Sequence, residues 1–136
     1  MILDTQRRNI IFIDSETGLF AGRMKDIFRD EAVELICVFS FDARAVLEEV
    51  RPDLLLMNGD ISKAAALGVI EHVRRRHPRA PIILILSGCE SLHSGMMERL
   101  GISDYVYNTF EKEMILRKIT RYLERKEGCD DDKHFL

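Results

Sequence analysis

Three polar residues in this sequence each follow a short apolar run, and their chemistry is where we begin. They are Asp14, Asn58 and Ser87. A carboxylate oxygen can hold a divalent cation or act as a nucleophile. An amide oxygen carries no charge and is a poor nucleophile, so the amide at Asn58 limits what this group of residues can do.

The segment from Pro52 to Asp60 predicts a buried strand at the centre of the fold. Four apolar residues, Leu54 to Met57, stand between a Pro-Asp start and a glycine-containing turn. Continuous apolarity is typical of a parallel sheet that helices cover on both faces. Ligands of such sheets bind beyond the carboxyl ends of the strands, which is where Asn58 lies.

The rest of the chain alternates strand and helix patterns. The predicted strands are residues 9–13, 33–38, the central segment, 82–86 and 104–107, and the predicted helices are about 17–30, 42–51, 62–77, 91–100 and 111–126. Ser62 is the expected N-cap of the third helix, and Gly101 is the expected stop of the fourth. This alternation predicts a parallel sheet with right-handed crossovers, although periodicity alone leaves the strand order open.

Composition bounds the class of protein. The chain has 136 residues, 46% of them hydrophobic, and a net charge of −3, which describes one ordinary globular domain and argues against non-specific nucleic-acid binding. We predict this domain at residues 9–126, with a polar arm at 1–8 and a polar, disordered tail at 127–136. The sequence contains no membrane-length apolar run, signal-peptide pattern or CxxC motif, so we expect a cytoplasmic protein.

Five landmarks occur in order at spacings known from one protein family. They are Ile11–Asp14, Pro52–Met57, Ser87-Gly88, Gly101–Tyr105 and Phe110. With them, residues 9–126 resemble the receiver domain of bacterial two-component response regulators. The resemblance implies a flavodoxin-like, doubly wound sheet of five parallel strands in the order 2-1-3-4-5, with five helices. It also implies a module of phosphorelay signal transduction rather than an enzyme.

The family's phosphorylation site is altered in this sequence. The resemblance places Ser15 where a second acid is usual, Asn58 where the phosphate-accepting aspartate stands, and Asn108 where a lysine binds the phosphoryl group. Only Asp14 and Ser87 of the five-residue catalytic set remain. We therefore predict a pseudo-receiver that does not accept phosphate on Asn58. Tight Mg²⁺ binding is not expected, because two carboxylates are missing. Each would attract a divalent ion by several kcal/mol, taking roughly 4 kcal/mol per unit-charge pair at ~4 Å and an effective dielectric of about 20.

Other interpretations stay open. Glu16 and Asp60 are weak candidates to join Asp14 in holding a cation, and the alternative function is a regulator that is phosphorylated on Asp14 or Asp60 with Mg²⁺. Deamidation at Asn58-Gly59 would create a new acid at the same site. A flavin module or similar small-ligand binder shares the fold class, but the loops lack phosphate-cradling glycines.

The resemblance also implies a switch pair and a type of partner. Ser87 and Tyr105 stand at the switch positions, although Ser87 could simply cap the end of its strand. Expected partners are a sensor kinase, an output domain or a second copy bound through the fourth helix, fifth strand and fifth helix. Apolar and aromatic residues supply that surface unless they pack in the core: Met96, Met97, Tyr105, Tyr107 and Tyr122. Neither nucleic acid nor membrane is expected as a partner.

Overall fold

The architecture is that of a computed structural model, which describes residues 7–15, 18, 20–86, 94–107 and 111–132. Its strands are β1 (Arg8–Asp14), β2 (Val33–Phe39), β3 (Leu54–Asn58), β4 (Ile82–Leu86) and β5 (Asp104–Tyr107). Its helices are α1 (Ala21–Ile27), α2 (Ala43–Glu49), α3 (Lys63–Arg76), α4 (Ser94–Arg99) and α5 (Lys112–Asp132). One turn of 3-10 helix, Ser40–Asp42, leads into α2. None of the helices among the described residues is long and apolar enough to cross a membrane.

The strands form one parallel sheet in the order β2-β1-β3-β4-β5, which confirms the predicted topology. The central position of β1 sets the geometry of the sheet edge. Ile13 is in register with Val38 of β2 on one side and with Met57 of β3 on the other. Asp14 and Asn58 each come one residue later, so they lie side by side where the two strands end.

Both faces of the three central strands, β1, β3 and β4, are buried, which explains the continuous apolar runs in their sequences. Alternate residues of each central strand belong to different cores. On one face, Ile11, Leu55 and Leu84 pack with residues of α2 and α3. On the other face, Phe12 and Leu56 pack with residues of α1 and α5.

The start of α3 and the end of α4 lie where the sequence predicts them. Ser62 is the N-cap of α3, since its hydroxyl accepts a hydrogen bond from the backbone N–H of Ala65 at 3.2 Å. Gly101 adopts a left-handed φ of 78° just after α4, as a helix-terminating glycine does. Arg74 connects these regions by donating to the carbonyls of Ala80 at 2.9 Å and Gly101 at 2.7 Å.

Helix α1 is shorter than predicted. It begins at Ala21 rather than near residue 17, because Gly18 has a left-handed φ of 66° and donates its N–H to the carbonyl of Ser15 at 3.0 Å. At its other end, the chain leaves the helix at Phe28, whose φ and ψ are −97° and 7°. The hydrophobic periodicity of the sequence therefore extends beyond both ends of the helix, into turns that are not helical.

Helix α5 is longer than predicted. It continues to Asp132, so residues 127–132 are helical, in contrast to the disordered tail expected from 127 onward. No proline interrupts this stretch, and the single Gly128 costs a helix only about 1 kcal/mol. The rest of that tail, 133–136, lies outside the described residues, as do residues 1–6 of the predicted N-terminal arm. Of that arm, Arg8 is the first residue of β1.

Candidate functional site

Asp14 and Asn58 form a buried polar pair at the carboxyl edge of the sheet. Their exposed fractions are 2% and 3%, in a core that is otherwise apolar apart from His72. The Nδ2 amide of Asn58 donates a hydrogen bond to Oδ1 of Asp14 at 2.9 Å. A buried polar group needs such a partner, because an unpaired one costs about 1–3 kcal/mol. The two residues that sequence analysis placed at this edge are therefore in direct contact.

The Asp14 carboxylate accepts three more hydrogen bonds, all from backbone N–H groups. Ser15 donates to Oδ1 at 2.8 Å, and Phe20 and Ala21 donate to Oδ2 at 3.2 and 3.1 Å. Each carboxylate oxygen thus accepts two hydrogen bonds. The donors from Phe20 and Ala21 stand at the start of α1, so this side chain also fixes how the loop after β1 enters the helix.

The Asn58 amide is held at both ends. While its Nδ2 donates to Asp14, its Oδ1 accepts from the backbone N–H of Asp60 at 2.9 Å. This orientation of the amide is the one that satisfies both neighbours, because a carboxylate can only accept and an N–H can only donate. The backbone of the following residue is also held, since the N–H of Gly59 donates to the carbonyl of Ile85 at 2.8 Å.

Of the other predicted site residues, Ser15 and Asp60 contact this pair through their backbone N–H groups. Asp60 is exposed and lines a surface groove, and Ser15 lines the same groove. Glu16, Ser87 and Asn108 lie outside the described residues. The described residues contain no group of three His, Cys, Asp or Glu side chains that could hold a metal ion.

Tyr105, the predicted switch aromatic, is on the surface of β5. Its exposed fraction is 39%, and its ring meets that of Tyr107 edge to face at 5.8 Å between centroids. The ammonium of Lys118 lies 5.9 Å from the centre of the Tyr105 ring and 3.2 Å from a carboxylate oxygen of Asp104. Tyr122 is half-buried and donates from its hydroxyl to Asp104 at 3.0 Å.

The methionines predicted for this surface contribute less than expected. Met97 is buried and packs in the core with α2 and α3 residues, which decides for core packing between the two alternatives that its sequence left open. The side chain of Met96 lies outside the described residues. Among the described side chains of β5 and α5, the exposed large apolar groups are therefore Tyr105, Tyr107 and Met114, the last with an exposed fraction of 47%.

A groove of about 660 Å³ opens beside the Asp14–Asn58 pair. Two segments line most of it, one entering α2 and one entering α3. The lining residues are Ser15, Ser40, Phe41, Arg44, Asp60, Ile61, Ser62, Ala64, Ala65, Gly68 and Val69. Sequence analysis missed this groove. The only signal for it was Phe41, an aromatic residue in a loop between two predicted elements.

Comparison with solved structures identifies the fold. The computed structure superposes on a CheY-like response regulator receiver domain from Methanospirillum hungatei with a TM-score of 0.78, over 90% of this chain and 98% of that one, at 18% sequence identity. The chain has the receiver fold. A second receiver fold, from a sensor histidine kinase of Pseudomonas aeruginosa, superposes with a TM-score of 0.73 over 88% of this chain and 99% of that one, at 16% identity. That protein has a magnesium ion coordinated in its active-site cleft.

Sequence comparison points in the same direction. The chain is 24% identical over 127 residues to the DNA-binding response regulator MtrA of Mycolicibacterium smegmatis, a match that covers 92% of this chain. It spans 54% of the length of that relative. No protein-family model matches the chain. The receiver fold is thus established, and the sequence is similar to that of a response regulator, whereas neither comparison determines the chemistry at Asn58.

Proposed function

We propose that this chain is a receiver-like signalling module that does not accept phosphate at Asn58 and acts by binding other proteins. The observation that carries this proposal is the hydrogen bond from the Asn58 amide to Asp14, at 2.9 Å. An amide in that place donates to the remaining carboxylate, where a second acid would repel it. The pair is therefore stable without a cation between its two members.

Phosphate transfer to Asn58 fails on chemical grounds. The amide oxygen is neutral, and it already accepts the N–H of Asp60. An acyl phosphate forms when a carboxylate oxygen attacks phosphorus, and Asn58 has no carboxylate. Asp14 retains one, but each of its oxygens already accepts two hydrogen bonds, which would have to be rearranged before that oxygen could attack a phosphodonor.

The donors around Asp14 also oppose a magnesium site. Mg²⁺ demands near-octahedral oxygen ligands at about 2.0–2.1 Å and is usually held by one or two carboxylates. Both oxygens of Asp14 face N–H groups, which carry partial positive charge and would repel the ion. The residues described around this pair therefore do not fit a tightly bound magnesium ion.

Deamidation is also disfavoured by the local structure. Conversion of Asn58 to an acid begins when the backbone nitrogen of Gly59 attacks the side-chain amide carbon. That nitrogen donates its hydrogen to Ile85, and the Asn58 side chain is held at both its oxygen and its nitrogen. Both partners of the reaction would have to leave these contacts first.

A phosphodonor assay tests the proposal. Freshly prepared protein is incubated with acetyl phosphate and Mg²⁺, and intact mass is recorded. We expect no gain of a phosphoryl group. A control variant that restores the family pattern, Ser15→Asp with Asn58→Asp and Asn108→Lys, shows whether the assay detects labelling on this fold.

A labile phosphoryl group on the native chain would overturn the proposal. Asp60→Asn and Asp14→Asn variants would then identify the acceptor, since these are the two acids of the alternative mechanism. Equal labelling of the Asp60→Asn variant and the native chain would exclude Asp60.

The proposed protein contact is the β5–α5 face. Tyr105 and Tyr107 present their rings to solvent there, and Lys118 adds a cation beside Tyr105. Exposed aromatic side chains with a nearby cation are typical of protein interfaces. We infer that this face binds a second copy or a protein of the same signalling system, such as a sensor kinase or an output domain.

A further inference from the structure

The groove beside the Asp14–Asn58 pair has the size and the lining of a small-molecule site. Its volume of about 660 Å³ lies within the range of roughly 300–1,000 Å³ in which proteins bind small ligands. Apolar side chains such as Phe41, Ile61 and Val69 line it together with hydroxyl groups and two charged residues. Apolar walls with a few polar groups are what an organic ligand requires.

Gly68 keeps this groove open. It lies in the middle of α3, where a glycine costs a helix about 1 kcal/mol relative to alanine. No heavy atom lies within 4 Å of the position its Cβ would occupy, so neither a tight contact nor its backbone conformation requires glycine there. The space that a side chain would fill is the groove itself.

Phe41 supplies an aromatic wall. Its exposed fraction of 68% is the highest among the large apolar side chains of the described residues. The ring stacks on Phe39 at 5.6 Å between centroids and 17° between planes, and Phe39 in turn reaches within 3.3 Å of where a Cβ on Gly18 would lie. One side of the Phe41 ring is thus held by Phe39, while the residue lines the groove.

Arg44 supplies the positive charge. It is exposed, lines the groove and follows Phe41 by three residues. The carboxylate one turn further along α2, Glu48, pairs with Arg76 at 3.1 Å and lies 3.3 Å from His72. Within the described part of the chain, the Arg44 guanidinium has no salt-bridge partner. The one acid that lines the groove, Asp60, belongs to the other lining segment.

We propose that this groove binds a small organic anion with an aromatic ring, the ring packing on Phe41 and the anionic group pairing with Arg44. Ser15 and Asp60 line the groove and donate their backbone N–H groups to Asp14 and Asn58. A ligand there would contact the chain segments that hold the buried pair. The binding proposal is independent of the proposed function, because it rests on groove residues and not on whether Asn58 accepts phosphate.

The probe for this proposal is 8-anilinonaphthalene-1-sulfonate, which combines aromatic rings with one sulfonate. We expect saturable binding to the folded chain at one site, followed by its fluorescence. Amide shifts in two-dimensional NMR should change at Phe41, Arg44 and Gly68. Gly68→Leu fills the groove and should weaken binding at least about tenfold. Gly22→Leu is its matched control, since a Cβ on that α1 glycine also meets nothing within 4 Å.

The charge is tested separately. Arg44→Gln should weaken binding several-fold, whereas Arg51→Gln makes the same change in net charge on a residue that does not line the groove and should leave binding unchanged. Urea unfolding of each variant shows whether it is folded, because the probe also binds partly unfolded chains. Absence of binding, equal binding by the Gly68→Leu and Gly22→Leu variants, or shift changes confined to other surfaces would each overturn the proposal.

Discussion

At the scale of single residues, the amide of Asn58 matters because it donates a hydrogen bond to Asp14. A carboxylate pair at this distance repels, whereas an amide and a carboxylate attract through an N–H to O contact of 2.9 Å. Because Asp14 also takes three backbone donors, its charge is compensated without a cation. The pair is therefore a structural element of the folded state.

Asn58→Asp should destabilise the protein at neutral pH. Two carboxylates would then lie within ~4 Å, where like charges repel by about 4 kcal/mol at an effective dielectric of 20, and we expect a loss of about 2–4 kcal/mol in the free energy of unfolding. The loss should shrink as pH falls to about 4, because one acid of the coupled pair becomes protonated.

Urea unfolding at both pH values measures this effect. Asn58→Ala is the control, since it removes the hydrogen bond without adding a charge. If the Asp variant is as stable as the Ala variant at neutral pH, electrostatic repulsion at the pair is not the reason for the amide.

His72 should make stability depend on pH. Burial lowers the pKa of this imidazole, the Glu48 carboxylate raises it in part, and the nearby Arg44, Arg75 and Arg76 lower it further. Its Nε2 atom makes no hydrogen bond with any described residue. Because the folded state resists the proton that the unfolded state accepts, stability should fall as pH drops below about 6.5, the usual pKa of histidine.

The measurement is urea unfolding of the native chain and of His72→Phe between pH about 7.5 and 5.5. The native chain should lose more stability over this range, since phenylalanine cannot be protonated. Parallel losses in the two proteins would show that other groups cause the pH dependence.

At the scale of elements, three glycines differ in whether the backbone at their position requires glycine. Gly22 and Gly68 lie inside α1 and α3, and a Cβ on either would meet nothing within 4 Å. Alanine at each should raise the free energy of unfolding by about 0.5–1 kcal/mol, because the unfolded chain loses freedom and the helix gains a better former. Gly101 differs, since its φ is +78° and a Cβ would approach Arg74 to 3.0 Å.

Gly101→Ala should therefore lower stability by about 1–2 kcal/mol, the cost of a left-handed conformation for a residue with a Cβ. Thermal or urea unfolding of the three alanine variants, made in the same way, checks all three signs. A stabilised Gly101→Ala protein would contradict the role of this glycine in ending α4.

How well the sequence predicts an element depends on whether local residue types mark its two ends. The bounds of β4 and β5, 82–86 and 104–107, agree with prediction because a change in hydrophobicity marks both ends. The start of α3 agrees because Ser62 is a side-chain cap. The start of α1 does not, because it depends on backbone N–H groups that reach the Asp14 carboxylate. No residue type signals such donors.

The same contrast holds for the candidate site. Parallel strands bring Asp14 and Asn58 together, and that much follows from sequence. The three backbone hydrogen bonds on Asp14 depend on the path of the chain after β1, and the groove depends on Phe41 turning outward. Both are tertiary features that no local pattern encodes.

At the scale of the whole molecule, the surface of β5 and α5 should control association. If the chain forms a dimer there, Tyr105→Arg should raise its dissociation constant at least about tenfold, because it removes an aromatic contact and adds a charge beside Lys118. Sedimentation velocity over a range of concentrations measures this constant. Phe41→Arg is the matched control, an equal change on an exposed aromatic side chain of another surface. A chain that stays monomeric at all concentrations, or equal effects of both changes, would contradict a dimer through this face.

The four contacts of Asp14 bear on how such a domain can change over evolutionary time. Mutation of this acid would deprive three partly buried backbone N–H groups and one buried amide of their acceptor, so purifying selection for folding alone is enough to preserve it. The acid at the end of β1 is therefore a residue that the domain needs in order to fold, whether or not it takes part in phosphoryl transfer.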